Sequence, residues 1–482
     1  MAIRRFFILA KEYDAVILGG GTGGYVAAIR ASQLGLKTAI VEKDKLGGTC
    51  LHKGCIPSKA LLRSAEVYKT IQNGAEFGIR VSGAELDFAR IQARKTAIVG
   101  QLYRGVRQLM KKGKIDVYEG TGRILGPSIF SPLPGTVSVE MNKGEENEML
   151  IPKNLIIATG SRPRTLPGLE VDGKYVLASD QALSLTELPA SILIVGGGAI
   201  GVEWASMLSD FGVDVAICEF ADRLVPGEDR DMSKEIARLL KKKGVDIQTG
   251  AKIKPETLQK QAGSVTVQAE VKGETKAFMA EKILVSVGRI ANTENIGLEN
   301  TDIQIENGVI QVNANYQTKE SHIYAIGDVI GGLQLAHAAS REGIIAVEHI
   351  AGNKPDPLDP GLVPKCIYTS PEMASVGLSE DAAKEKGYNV KVGRFSFKAI
   401  GKALVHGESD GFVKIVADKE TNDLLGVHII GPHATDMISE AGLARVLDAT
   451  PWEMALNIHP HPTLSEAIGE AALAVDGLAI HS

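Results

Sequence analysis

Residues 13–42 read YDAVILGGGTGGYVAAIRASQLGLKTAIVE, and the fold turns on how this stretch is read. Tyr13 to Leu18 is a short apolar run rich in β-formers that flows straight into a glycine-rich segment. Gly19, Gly21 and Gly24 match G-x-G-x-x-G, an alanine-rich helical run follows, and a second apolar run ends in Glu42, 23 positions after Gly19 (42 − 19). In such a strand–helix–strand unit the first glycine makes a tight turn, the second lets backbone approach a pyrophosphate, and the third lets helix pack on strand. The helix N-terminus faces the phosphates, and the acid accepts hydrogen bonds from a ribose. A glycine-rich surface loop would leave the strands, the helix and the acid without a purpose.

The same unit recurs at residues 191–219, SILIVGGGAIGVEWASMLSDFGVDVAICE. Gly196, Gly198 and Gly201 repeat the glycines, and Glu219 stands 23 positions after Gly196 (219 − 196). Gly35 and Gly212 fall at the same offset of 177 (212 − 35), and the closing strands LIIATGSR (155–162) and ILVSVGR (283–289) resemble each other. Two such units predict two bound dinucleotides.

Between them lies LGGTCLHKGCIPSK, residues 46–59, with Cys50 and Cys55 five positions apart. A regular helix would separate their Cα atoms by roughly 7.5 Å along its axis, whereas a disulfide needs about 7 Å or less. A bridge therefore requires a distorted turn, for which Gly47, Gly48, Gly54 and Pro57 supply the means. A thiolate at a helix start, near Lys53 and Lys59, would be a usable nucleophile. Two inert thiols, or half of a zinc site, are the alternatives; zinc wants four ligands, and Cys218 and Cys366 stand alone. Two dinucleotides beside one reactive cysteine pair describe an electron relay.

With 482 residues, length suggests about three domains. Composition is that of an ordinary globular protein, 44% apolar and 23% charged, and a net charge of −5 without a long basic run argues against nucleic acid. Four cysteines in so long a chain fit a reducing compartment, where a disulfide is catalytic more often than structural. The N-terminal run in MAIRRFFILAKEYD is too short for a signal peptide or membrane span. The expectation is a soluble, cytoplasmic protein whose first ten residues form a loosely held tail.

Residues 115–151 alternate and carry turn signals, which predicts a small antiparallel insertion, and the Pro-rich segment 162–190 reads as a hinge. Residues 234–243 read as a helix whose lysines form a solvated face. His322 to Ile326 leads into Gly327-Asp328 and a helical pattern from Leu335; an acid at a strand end can hold a sugar hydroxyl, and a plain Gly-Asp turn is the alternative. After the linker near 351–361, alternating strands FVKIVAD and LLGVHII, expected to face solvent on one side, and amphipathic helices suggest an α+β domain ending in HPHPTLSEAIGEAALA. There His461 and Glu466 could form an acid/base pair, since His needs a partner that fixes its tautomer. Equally, Thr463-x-x-Glu466 reads as a capping box, and His459 and His461 could be idle loop residues.

Taken together and in order, GGGTGG with Glu42, GGTCLHKGCIPSKAL, ATGSRP, GGGAIGVE with Glu219, SVGR, AIGD, LAHAA and HPHPTLSE resemble the pyridine nucleotide–disulfide oxidoreductases through essentially the whole chain. Among them the resemblance is to the branch that oxidises dihydrolipoyl groups. It implies an α/β fold of two Rossmann-like dinucleotide-binding domains with a C-terminal α+β dimerisation domain: 1–155 for FAD, 156–285 for NAD, a central segment 286–350 completing the FAD site, and an interface domain 351–482. FAD contacts would include Gly19, Gly21, Gly24, Glu42 through Cys50, Lys59, Gly122, Thr159, Gly160, Ser161, Asp328, Gln334, Leu335, Ala336 and His337. NAD would use Gly196, Gly198, Gly201, Glu219 and Gly288. Lys59 and Glu203 would pair near the flavin. Cys55 would face the flavin as its charge-transfer thiol, and Cys50 would exchange with substrate. His461, oriented by Glu466, would be the acid/base and would serve the cysteines of the other subunit of a homodimer. The implied partner is a lipoyl-bearing dihydrolipoyl acyltransferase of a 2-oxo acid dehydrogenase-type complex, with no metal, nucleic acid or membrane. An NADPH-dependent glutathione-type reductase is the neighbouring reading, for which Arg223 leaves room although Glu219 favours NAD. A pure interaction subunit of a lipoyl-bearing complex is the other reading, and the intact Cys50, Cys55, His461 and Glu466 oppose it.

Overall fold

Residues 10–127, 132–144 and 146–481 are described by a computed structural model; most of the expected N-terminal tail and part of the turn region at 126–135 lie outside them. The chain divides into two compact units. The first comprises the chain up to Ser58, Ala93–Pro163 and Arg289–Leu358, and the second Lys59–Gln92, Arg164–Gly288 and Asp359 onward.

In the first unit the strand Lys11–Leu18 pairs in parallel with Thr38–Glu42 on one side and Glu148–Ile157 on the other. Ile323–Ala325 extends the sheet beyond Glu148–Ile157. Such strands are buried on both faces, which is why they read as continuous apolar runs: Ala15, Val16 and Ile17 are wholly buried. The helices Thr22–Gln33 and Ala336–Ile350 cover one face, with Ala27, Ala28 and Ala31 meeting Ile345, Ala346 and Val347 in one core. The segment expected as an antiparallel insertion is continuous with this sheet. Asp116–Ile124 pairs in parallel with Thr38–Glu42 through its first half and antiparallel with Val137–Met141 through its second.

The second unit repeats the arrangement. Ser191–Val195 pairs in parallel with Asp214–Glu219 and Lys282–Val285, and Asp214–Glu219 in turn with Asp246–Thr249. A three-stranded antiparallel sheet, Ala251–Gln261, Ser264–Val271 and Glu274–Ala280, packs beside it. The C-terminal part is a five-stranded antiparallel sheet in the order Lys365–Ile367, Glu372–Gly377, Leu424–Gly431, Phe412–Asp418, Val390–Ser396. Its central strands are buried at every position, so the polar-out alternation expected of an antiparallel strand is missing. Helices explain this: Val413, Ile415 and Val427 pack with Ile438 and Ile468, while Phe412 and Ile430 join the core of Trp204 and Leu208. The fold class expected from the sequence is the one observed.

Lys414, at the centre of that sheet, is 2% exposed and lies 3.0 Å from Asp229 and 2.8 Å from both Asp231 and Glu380. Asp229 also caps the helix Arg230–Lys242 by accepting from Asp231 N–H. The solvated-face reading holds for Lys242 but not for Lys243, which is half-buried and pairs with the buried Asp210 at 2.6 Å.

Candidate active site

Both glycine-rich turns are built alike. Gly19 and Gly196 adopt φ of +110° and +105°, and a Cβ there would stand 2.2 Å from the Ala158 carbonyl oxygen and 2.5 Å from that of Ser286. A Cβ on Gly24 or Gly201 would stand 1.9 Å from the carbonyl oxygen of Gly19 or Gly196. By contrast, a Cβ on Gly21 or Gly198 meets no atom within 4 Å. The first and third glycines are therefore demanded by the protein's own packing, and the middle one leaves open space at a helix N-terminus, where a pyrophosphate fits. Each acid is fixed in the same way: Glu42 accepts from Gly20 N–H and Asp44 N–H, and Glu219 from Gly197 N–H and Ala221 N–H. In the second unit a cavity of about 520 Å³ runs along Gly196, Gly198, Glu219, Phe220, Ile253 and Gly288. The chain's residues fit two dinucleotides.

Around the first turn, Thr159 to Ser161 are pinned by Asn292, whose side-chain N–H₂ donates to Thr159 O and whose N–H donates to Gly160 O, both at 2.9 Å. Ser161 Oγ donates to Asp328 and receives Arg289 Nε at 2.7 Å. Gly327 N–H, in the turn that carries Asp328, donates to Glu342 at 2.7 Å. Gln334, at φ +51°, and Leu335 lead into the helix whose first turn holds Ala336 and His337. Gly122 lies on the strand Asp116–Ile124, where a Cβ would stand 2.4 Å from Leu18 Cδ1. Asn292 and Glu342 carried no signal in the sequence, because their partners are far along the chain.

Cys50 and Cys55 form a disulfide with Cα atoms 4.7 Å apart. The distortion that the spacing required is a break between two helices: Gly48–Lys53 ends, Gly54 takes φ −149°, ψ −110°, and Cys55–Gln72 begins. Gly47, at φ +102°, starts the first helix. Cys55 is thus the first residue of an 18-residue helix, whose N-terminal dipole stabilises a thiolate. Of the lysines expected to do so, Lys53 pairs with Asp44 at 3.0 Å. In the second unit, Lys59 reaches both oxygens of Glu203 at 3.0 and 2.8 Å and lies 4.5 Å over the Tyr368 ring. Tyr368 N–H donates to the same carboxylate at 3.0 Å. Burial pushes the other two thiols up, the buried Cys218 to about 12 and the half-buried Cys366 to about 11. Among the described residues no group of three potential metal ligands occurs, and no helix is long and apolar enough to cross a membrane.

In the second unit, His461 Nδ1 lies 2.8 Å from Glu466 Oε1, while Glu466 Oε2 accepts from Thr463 N–H at 2.8 Å. Both readings of Glu466 describe it in part: it tethers the turn and holds the imidazole. Thr463 is not the helix cap, since Glu466–Ala474 starts after Ser465. Burial would raise the Glu466 carboxyl, but the hydrogen bonds from His461 and Thr463, with the charges of His461 and His459, hold it below the ordinary carboxylate range. His459, read as an idle loop residue in one alternative, pairs with Glu440 at 2.8 Å.

The sequence profile of the pyridine nucleotide-disulphide oxidoreductases matches residues 13–343, and that family's dimerisation-domain profile matches residues 363–472. The chain is 72% identical to the dihydrolipoyl dehydrogenase of Bacillus subtilis, covering 98% of this chain and 100% of that protein. It is 43% identical to the dihydrolipoyl dehydrogenase of Zymomonas mobilis, again over 98% and 100%. The crystal structure of LpdA from Mycobacterium tuberculosis superposes with a TM-score of 0.87 at 25% identity, covering 96% of this chain and 99% of that one. With its duplicated glycine turns and its disulfide between two helices, the chain belongs to the pyridine nucleotide-disulphide oxidoreductase family.

Proposed function

We propose that this protein is a dihydrolipoyl dehydrogenase, which oxidises a dihydrolipoyl dithiol to the cyclic disulfide and reduces NAD+ to NADH. The Cys50–Cys55 disulfide at the start of a long helix is the observation that carries this reading, and the relatives at 72% and 43% identity bear the same activity in their names. FAD would be held by the first glycine turn with Glu42, Gly122, Thr159 to Ser161, Asp328 and Gln334 to His337, and would supply the two-electron link between dithiol and NAD+. NAD would take the second turn with Glu219 and Gly288, which line the cavity there.

The chain's own residues handle thiols and protons. His461, its tautomer fixed by Glu466, takes the proton of a substrate thiol. The resulting thiolate attacks Cys50 Sγ; the Cys50–Cys55 bond breaks and Cys55 departs as a thiolate stabilised by its helix N-terminus. The second substrate thiol then displaces Cys50, which closes the lipoyl disulfide and leaves both cysteines reduced. Lys59, with Glu203 and Tyr368, forms the charged group one helical turn beyond Cys55. The protein works as a homodimer in which His461 serves the partner's cysteines, and its substrate is the lipoyl group of an acyltransferase in a 2-oxo acid dehydrogenase-type complex.

Cys55→Ser tests the assignment. The variant should keep its flavin, read from its visible absorbance, and lose lipoamide turnover; a Cys55→Ser enzyme that oxidises dihydrolipoamide at an undiminished rate would refute it.

A further inference from the structure

The HPHP segment carries two histidine–carboxylate pairs, of which the proposed function uses one. His459 Nε2 lies 2.8 Å from Glu440 Oε1 on the helix Ala434–Val446, and Asn457 Nδ2 reaches the same oxygen at 3.2 Å. The His459 side chain is 8% exposed, against 78% for His461. One imidazole is built into the domain and the other is presented. Gly469 makes room for the buried ring, since a Cβ there would stand 3.0 Å from His459 Nδ1. Gly469 follows Glu466 by three positions on one helix, and such positions share a face. The His459 ring therefore lies one turn from the carboxylate that holds His461. The carboxylates acting on His459 come from both packed helices, Glu440 from one and Glu466 from the other, while His461 lies two residues along its own segment. Glu440 raises the proton affinity of His459 against the opposing effect of burial, and the His459 cation is one of the charges that act on Glu466.

We propose that His459, clamped by Glu440 and seated on Gly469, is a positioning residue that fixes the charged Glu466 carboxylate toward His461. It touches no substrate and acts through Glu466. The inference rests on His461 being the acid/base, and the test separates the two claims.

The test is the pH profile of kcat/KM for dihydrolipoamide oxidation by the full-length, FAD-loaded dimer, measured for the unaltered protein and for His459→Gln, Glu440→Gln, Gly469→Ala and His461→Gln. Removing the His459 charge makes Glu466 easier to protonate, so the acid limb should move toward neutrality in His459→Gln and Glu440→Gln. A shift of about half a pH unit is the order expected for one charge in a partly solvated setting. Gly469→Ala, which crowds the ring, should move it the same way. A limb that stays in place in all three, with the rate lowered equally at every pH, would overturn the proposal. Should His459→Gln fail to assemble, Glu440→Gln and Gly469→Ala decide it by the same readout. An active His461→Gln enzyme would sink the acid/base reading itself; an inactive one with unmoved limbs in the other variants sinks only the role of His459.

Discussion

At the scale of single residues, the four cysteines divide by environment. Cys50 and Cys55 sit at helix starts between glycines, while burial lifts the Cys218 and Cys366 thiols to about 12 and about 11. After reduction, alkylation near pH 7.5 should therefore label Cys50 and Cys55 and leave Cys218 and Cys366 unmodified in the folded protein, as read by peptide mass spectrometry; fast labelling of Cys218 would contradict the assignment. His461→Gln should lower kcat/KM by about 10²-fold or more, the usual contribution of a positioned proton-transfer group, with FAD content unchanged. The cysteine pair and HPHPTLSE were legible because their chemistry lies within a few residues of sequence. Asn292, Glu342, Tyr368 and Glu440 were not: each acts on a residue between 15 and 165 positions away, and only the folded chain brings them together.

At the scale of elements, the two glycine turns make a prediction that separates packing from ligand binding. Gly24→Ala places a Cβ 1.9 Å from a carbonyl oxygen, whereas Gly21→Ala places one in open space. Gly24→Ala should destabilise the apoprotein itself. Gly21→Ala should leave the apoprotein's thermal midpoint unchanged and weaken FAD retention, measured by flavin release on dilution. In the second unit Gly198→Ala should raise KM for NAD+ without affecting stability. The strand–turn–helix–strand pattern was legible because the first and third glycines answer a local steric demand and the middle one keeps the helix N-terminus open.

Lys414 was not legible: FVKIVAD reads as half-solvated, yet its lysine is 2% exposed and joins the helix cap at Asp229 to the helix Glu380–Glu385. Removing one partner of a buried ion cluster costs about 3–5 kcal/mol, so Lys414→Ala should shift the urea midpoint accordingly. Burial alone would raise the Asp229 carboxyl, but His428, Lys414 and its other donors hold it below the ordinary range. The stability that this supplies is present above the ordinary carboxylate range and fades as pH falls toward and below it. In Lys414→Ala that acid-dependent part should shrink.

At the scale of the whole molecule, Leu443, Val446, Leu447, Trp452, Leu456 and Ile458 are all more than half exposed, and Ile458 is 91% exposed. They lie within the stretch matched by the dimerisation-domain profile, and a dimer that covered them would remove apolar surface from water. Leu447→Asp combined with Ile458→Asp should yield monomers in sedimentation velocity and abolish lipoamide turnover. The central claim is that electrons leave a dihydrolipoyl dithiol through Cys50 and Cys55 and arrive on NAD+. Its most direct test is to mix the flavin-loaded enzyme anaerobically with dihydrolipoamide, record the visible spectrum, and then add NAD+. The account predicts a long-wavelength band from the Cys55 thiolate against the flavin on two-electron reduction, followed by rapid NADH formation. A flavin that dihydrolipoamide fails to reduce, or a reduced enzyme that yields no NADH, would contradict it.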